Sequence, residues 1–174
     1  MIKVINNVIN KKECFNLYSQ LTAEHMWNLA RHSEGDQGGK FPGVHLIEDF
    51  KTIHNNPYWI GYFDCLFDRI NQLLFEQHKF LIKKDICRIA LNAANDNAYT
   101  EFHTDYNSDY YTIVGFLTPQ WAEQWGGELN VMGNIYKYSP GDFVMFDSSY
   151  PHKSQETKKI PYWRISVAYV IKKS

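Results

Sequence analysis

The sequence contains no run approaching the ~20 apolar residues that a membrane-spanning helix needs. Its opening, Met1-Ile-Lys-Val-Ile-Asn-Asn, has no continuous apolar core of the kind that marks a secretory signal. Cysteine is scarce. Cys14, Cys65 and Cys87 are odd in number and widely spaced, which suits neither a disulfide framework nor a zinc knuckle, and they read as buried reduced thiols. An excess of either charge is also missing. With 18 Lys and Arg against 19 Asp and Glu the net charge is −1, so there is no basic footprint for nucleic acid and no polybasic membrane anchor. Internal repeats, low-complexity tracts and long linkers are absent too. The expectation is a soluble cytoplasmic protein with no membrane or nucleic-acid partner. What is present supports a packed core: 44% of the 174 residues are apolar and 16% aromatic, the size and composition of one domain, residues 1–174. A mean hydropathy of −0.45 with that aromatic content excludes a disordered chain.

Two helices are legible in the first half. Asn10 caps a stretch with Glu13 in its first turn and Cys14, Leu17, Tyr18 and Leu21 on one stripe. Asn56 and Pro57 open a second, over about 57–77, with Trp59, Tyr62, Phe63, Leu66, Phe67, Ile70, Leu73 and Leu74 at three-and-four spacing. Between them the polar, glycine-rich stretch from Arg31 to Gly43 reads as a loop, and residues 32–50 as either a lid or a disordered segment. From about residue 80 the period becomes that of strands: Ile86–Leu91, Tyr110–Leu117, Gly127–Val131, Phe143–Phe146 and Tyr162–Ile171. The expected fold is mainly β (α+β). Its core is an antiparallel sandwich or jelly roll over about 80–172, with helical support over about 10–78 packed outside.

Phe102-His103-Thr104-Asp105 falls where a strand is expected, which puts His103 and Asp105 on one face. A His and a carboxylate so placed make part of a facial metal site, and the missing ligand should be a histidine from a distant strand, His152. Such a set leaves three octahedral positions open and suits non-haem Fe(II), which must bind a chelating cosubstrate and dioxygen together. In the Tyr162–Ile171 run, Arg164 and Ser166 share a face, opposite Ile165, Val167 and Tyr169. An Arg within an apolar strand needs a carboxylate partner. That partner is either a protein acid such as Glu128 or a bound dicarboxylic acid, which the guanidinium fork would grip in bidentate fashion.

His103-Thr-Asp105, Leu117-Thr-Pro-Gln-Trp121, Trp125-Gly-Gly-Glu-Leu129, Ser139-Pro-Gly-Asp-Phe-Val-Met-Phe146, His152 and Arg164-Ile-Ser166 follow one another in a familiar order. The set resembles the 2-oxoglutarate/Fe(II) dioxygenases, most closely their prolyl 4-hydroxylase-like group. The likeness covers about residues 86–171, with a weaker echo at Val8-Ile-Asn-Lys-Lys-Glu-Cys14. It implies a double-stranded β-helix in which His103, Asp105 and His152 hold Fe(II) and are the catalytic residues. Arg164, assisted by Ser166, would bind the distal carboxylate of the 2-oxoglutarate cosubstrate. Oxidative decarboxylation with O2 would release succinate and CO2 and drive hydroxylation of an unactivated C–H bond, with ascorbate a further candidate cofactor.

The sequence departs from the group's pattern at three places. Where relatives place a tyrosine before the His-x-Asp, this chain has Leu91-Asn92-Ala93, so Asn92 is the candidate polar contact to the cosubstrate. Phe116 stands where relatives carry another tyrosine, and Lys158-Lys159-Ile160-Pro161 reads as a lengthened turn before the last strand. His25, His32, His45, His54 and His78 are read as surface or core residues. Trp121 and Trp125 are read as packing residues before substrate platforms. The implied substrate is a peptidyl residue, proline first. The alternatives are a small molecule (amino acid, sugar or nucleotide) and a non-catalytic β-helix module that holds a metal or sugar. Specificity would then sit in the loops around 32–56 and 95–101.

Overall fold

The computed structural model describes residues 1–29, 42–54 and 56–173. In chain order the elements are β1 (Ile2–Ile5), α1 (Lys11–Ala23), β2 (Asn28–Leu29), β3 (Pro42–Glu48), β4 (Lys51–Thr52), α2 (Pro57–His78), β5 (Ile86–Ala94) and β6 (Tyr110–Phe116). A single helical turn, Glu123–Trp125, precedes β7 (Leu129–Val131), β8 (Asn134–Tyr136), β9 (Phe143–Asp147), β10 (His152–Ser154) and β11 (Arg164–Lys172). Among these, no helix is long and apolar enough to cross a membrane.

Both helices begin as their sequences direct. The Asn10 side chain accepts from the Glu13 N–H, and the Glu13 carboxylate accepts from the Asn10 N–H, each at 3.0 Å. This reciprocal capping box satisfies two otherwise orphaned donors. Asn56 accepts from the Trp59 N–H with Pro57 at the first position, and α2 ends where Lys79 turns left-handed (φ 54°). Trp59, Phe63, Leu66, Phe67, Ile70 and Leu74 form the buried stripe of α2. Each such side chain contributes roughly 1.5–3 kcal/mol on burial.

The strands form two antiparallel sheets. The larger has eight strands in the order β1-β9-β6-β11-β5-β3-β2, with β4 hydrogen-bonded to β3; the smaller has the order β10-β7-β8. Register sorts the residues of the large sheet by face. Val44, Leu91, Val167, Gly115 and Phe143 align across five strands, and the buried members of this row belong to the core that also holds α1 and α2. On the opposite face lie two rows, Asn92–Ser166–Phe116 and Arg88–Val170–Thr112–Phe146. Phe116, Val144 and Phe146 pack there against Leu129 and Val131 of the small sheet and against Tyr138, making a second core. Two apposed antiparallel sheets with helices on the outer face form the expected double-stranded β-helix.

The structure corrects several expectations. Residues 42–48 of the stretch read as loop 32–50 are strand β3, so the helical support over 10–78 also contributes strands to the large sheet. Val44 and Leu46 of β3 are buried, and the strand is held to β5 by an ion pair as well as by the ladder. Residues 30–41, and with them His32 and most of the proposed lid, lie outside the described residues. Phe102–Asp105 is not a strand; His103 makes one isolated bridge to His152. Cys65 is exposed, unlike Cys14 and Cys87, because it falls off the buried stripe of α2; all three thiols are free. The turn at Lys158–Pro161 is present, with Lys159 at φ 53°.

Gly115 of β6 is closely covered. A Cβ there would lie 2.1 Å from the ring of Phe143, which is itself fully buried. Gly115→Ala is therefore expected to destabilise the fold by about 1–3 kcal/mol through overpacking, read from urea midpoints. The ion pair between β3 and β5 gives a pH dependence. Arg88 forks onto Glu48 with Nε at 3.0 and 2.9 Å and Nη2 at 2.7 Å, and His45 Nδ1 lies 2.7 Å from the same carboxylate. Burial raises the Glu48 pKa, but the hydrogen bonds from His45 and Arg88 overcome it and bring it to about 2. The unfolded chain then takes up the proton first as pH falls. The stability contributed by ionised Glu48 should be complete above pH 4.5 and lost as pH falls toward 2. Glu48→Gln should accordingly be less stable than wild type near neutrality, with the gap closing through that window in stepped-pH urea titrations.

Candidate active site

His103 and Asp105 lie in the connection between β5 and β6, and His152 opens β10. His103 and His152 exchange both backbone hydrogen bonds, at 3.0 and 2.9 Å, and the Asp105 N–H donates to the Ser148 carbonyl at 3.2 Å. These bonds bring two distant segments together at one end of the two sheets. The imidazole centroids are 4.4 Å apart, and His152 Nε2 lies 3.5 Å from Asp105 Oδ2. One ligating atom from each of His103, Asp105 and His152 falls within 4.8 Å of the others. Among the described residues no other His, Cys or acidic group joins such a cluster: His45 pairs with Glu48, and His78 Nε2 meets the Val4 carbonyl at 2.6 Å.

The same local device orients both rings. His103 Nδ1 lies 2.9 Å from the Glu101 carbonyl, and His152 Nδ1 lies 3.0 Å from the Tyr150 carbonyl. A carbonyl only accepts, so each Nδ1 carries the hydrogen and each Nε2 keeps a lone pair, the tautomer that a metal requires. His152 is 5% exposed, and burial lowers its pKa despite the opposing charge of Asp105. Burial thus favours the neutral imidazole. The Asp105 carboxylate is held by Thr112, which donates to Oδ2 at 2.8 Å and lies 2.8 Å from the Ser148 hydroxyl. Arg88 Nη1 stands 3.4 Å from Oδ1. Phe146 packs its ring against His152 with centroids 4.7 Å apart.

Further along the same face of the large sheet is Arg164, at the start of β11 and 5% exposed. Its Nε is buried with no hydrogen-bond partner, and no ion pair among the described residues involves it; Glu128 does not reach it. Burial pulls its pKa down, opposed by Tyr138 and Glu128. Its guanidinium carbon lies 5.2 Å from the Tyr138 ring centroid. Tyr138 is fixed in turn by donating to the Ile165 carbonyl at 2.6 Å and accepting from the Thr118 N–H at 2.9 Å. Gly127 also approaches closely: at φ 73°, a Cβ there would lie 2.9 Å from Arg164 Cδ and Nε. Ser166 and Asn92 are direct cross-strand partners on Arg164's face, and neither forms a side-chain hydrogen bond to a described residue. A buried unpaired cation beside free polar side chains is costly unless an anion completes it. This pocket and the His/Asp/His donors suit a dicarboxylate and a divalent metal that prefers N and O ligands.

Trp121 and Trp125 are half-buried and pack in an aromatic cluster. Trp121 lies 4.4 Å from Tyr138 between centroids and donates to the Gly126 carbonyl. Sequence reasoning missed Tyr138, Thr112 and Arg88. Alternation along β5 puts Arg88 on the same face as Asn92, a signal the sequence offered but that was not followed. Tyr138 lies between strands, where no period applies.

Comparison with known proteins agrees with this geometry. Residues 89–172 match the profile of the 2OG-Fe(II) oxygenase superfamily. No curated protein matches the sequence. Among solved structures, a 2OG-Fe(II) oxygenase-family oxidoreductase from Burkholderia pseudomallei superposes with TM-score 0.74 at 15% identity, covering 98% of this chain and 84% of that one. A Pseudomonas putida prolyl-4-hydroxylase gives TM-score 0.65 at 18% identity, with coverages of 99% and 92%. A prolyl hydroxylase from Trichoplax adhaerens, in complex with a hypoxia inducible factor peptide fragment, gives 0.67 at 15%, with coverages of 99% and 83%. These likenesses establish the shared double-stranded β-helix. The profile match spans both the His/Asp/His cluster and Arg164, so residues 89–172 carry a 2-oxoglutarate/Fe(II) dioxygenase domain like that of the 2OG-Fe(II) oxygenase superfamily.

Proposed function

We propose that residues 1–174 act as one domain that hydroxylates an unactivated C–H bond and releases succinate and CO2. In this reading His103, Asp105 and His152 hold Fe(II). Arg164, with Ser166 and Asn92, holds the distal carboxylate of 2-oxoglutarate. The observation that carries it is the buried Arg164, whose Nε has no partner in the protein although a set of metal donors occupies the same inner face. A module that merely held a metal or a sugar has no use for a buried cation kept free.

Bound there, Fe(II) would activate O2, one oxygen atom going to the C–H bond and the other to 2-oxoglutarate as it is decarboxylated to succinate. The chain's own residues prepare for it. The Glu101 and Tyr150 carbonyls fix the imidazole tautomers so that both Nε2 atoms keep a lone pair for a metal. Thr112 limits rotation of the Asp105 carboxylate. Tyr138 and Gly127 enclose the Arg164 guanidinium and exclude water from it, which strengthens its attraction for an entering carboxylate. Ser166 and Asn92 offer hydroxyl and amide donors on the same surface. The substrate proposed is a peptidyl residue, proline first, supported by the prolyl hydroxylases among the structural neighbours, one of them peptide-bound. The arbiter is mass spectrometry for products heavier by one oxygen, across peptides and metabolites supplied with Fe(II) and 2-oxoglutarate. Products confined to free amino acids, sugars or nucleotides would replace the peptide reading.

Anaerobic addition of Fe(II) and 2-oxoglutarate to the protein should give a visible metal-to-ligand charge-transfer band, and His103→Ala should abolish it. Tetrahedral zinc binding with no response to 2-oxoglutarate would overturn the reading. Arg164→Ala should weaken 2-oxoglutarate binding by two to three decades, the equivalent of about 3–5 kcal/mol for one partner lost from a desolvated ion pair. Its melting temperature should change little, because the free protein leaves this guanidinium unsatisfied. Unchanged cosubstrate affinity with a large drop in melting temperature would make Arg164 structural.

A further inference from the structure

We propose that Arg88, clamped by Glu48, is a positioning residue that holds Asp105 in its ligating orientation and makes metal affinity depend on strand β3. The inference rests on Asp105 being a metal ligand. Asp105 does not sit in a strand, so no ladder fixes it; among the described residues its backbone is tied only by the N–H bond to Ser148. Its side chain is held on two sides. Thr112 fixes Oδ2 at 2.8 Å, and Oδ1 faces Arg88 Nη1 at 3.4 Å.

A contact of that length constrains little unless the guanidinium is itself immobile, and here it is. Nε and Nη2 fork onto the Glu48 carboxylate from β3, and the guanidinium carbon lies 5.1 Å from the Tyr106 ring centroid. Tyr106 in turn donates to Asp49 Oδ1 at 2.6 Å, just past the end of β3. The planar fork therefore has its plane set by β3 and presents its remaining edge to Asp105. The pairing also solves a charge problem. An uncompensated cation beside a ligand would repel the incoming dication, and Glu48 cancels that charge while leaving the donor in place.

The test is anaerobic Mn(II) titration of the whole chain, with the ligand-field spectrum of the Co(II)-loaded protein as an independent readout. Neither depends on turnover. Arg88→Met, which keeps the packing against Tyr106, should weaken Mn(II) binding by about 10–100-fold, the usual cost of losing an outer partner of a metal ligand, and should shift the Co(II) spectrum. Arg88→Lys keeps the charge but cannot both hold Glu48 and reach Asp105, so it should not rescue either readout. Glu48→Gln should weaken binding on its own and add nothing in the Arg88→Met background, since it acts through Arg88. Asp105→Ala separates the two levels of the argument. If it leaves Mn(II) affinity unchanged, the ligand assignment fails. If it weakens binding while Arg88→Met and Glu48→Gln bind Mn(II) as wild type with an unchanged Co(II) spectrum, the positioning role is overturned. Should Arg88→Met not fold, Arg88→Lys and Glu48→Gln decide the question by the same readouts.

Discussion

Strand β11 runs between β5 and β6 with both of its faces covered, and the rest of the site follows from that two-sided burial. Ile165, Val167, Tyr169 and Ile171 point into the core shared with the helices, and the Tyr169 hydroxyl donates to the Phe63 carbonyl of α2. With those four fixed outward, alternation sends Arg164 and Ser166 inward. A register slip of one residue would place the guanidinium among the helix-facing side chains and expel Val167, so the apolar face enforces the position of the polar one. The placement of the buried guanidinium thus rests on hydrophobic packing on the far side of the sheet.

The two ends of the inner face are built differently. At the Arg164 end, rigid elements supply the groups: β11 and β5 contribute Arg164, Ser166 and Asn92, and Gly127 and Tyr138 close over the guanidinium. At the His/Asp/His end, two of the three side chains lie in a connection, and order comes from a reciprocal backbone pair, from each histidine's own nearby carbonyl, and from side chains reaching out of the sheet. Loops can place ligands from several directions around one point, which parallel rows on a sheet cannot. The cost is lost rigidity, which Thr112 and Ser148 help to restore.

Much of this was legible before the structure. The helix at 57–77, the strands after residue 80, the His/Asp/His set and the inward Arg164 all followed from period and residue type. Strand β3 did not, because it begins Pro42-Gly43 after a glycine-rich stretch, and both residues argue against a strand. Its credentials are tertiary: Val44 and Leu46 find buried places against Leu91 and the helices. The expected strand at Phe102–Asp105 failed for the opposite reason. A two-residue spacing of His and Asp is compatible with a strand, but this segment finds only one bridge partner, and the common orientation comes from bonds to His152 and Ser148. Cys65 was misread because scarcity of cysteine says nothing about which side of a helix a given one occupies.

Two arginines face the interior of this protein, and sequence alone treats them alike. Arg88 lies in β5 and Arg164 in β11, each among apolar neighbours, each inward by alternation. Their partners distinguish them. Arg88 is met by Glu48 in a bidentate fork, stacked on Tyr106, and partly open to solvent. Arg164 is more deeply buried, has an aromatic ring as its nearest support, and keeps its Nε unpaired. A buried cation with a protein carboxylate is complete in the free protein and serves structure or orientation. One without a carboxylate is incomplete until an anion arrives, and its burial only raises the affinity with which that anion is held. The identity of the partner, more than the presence of the charge, separates the arginine that is complete in the free protein from the one that is not.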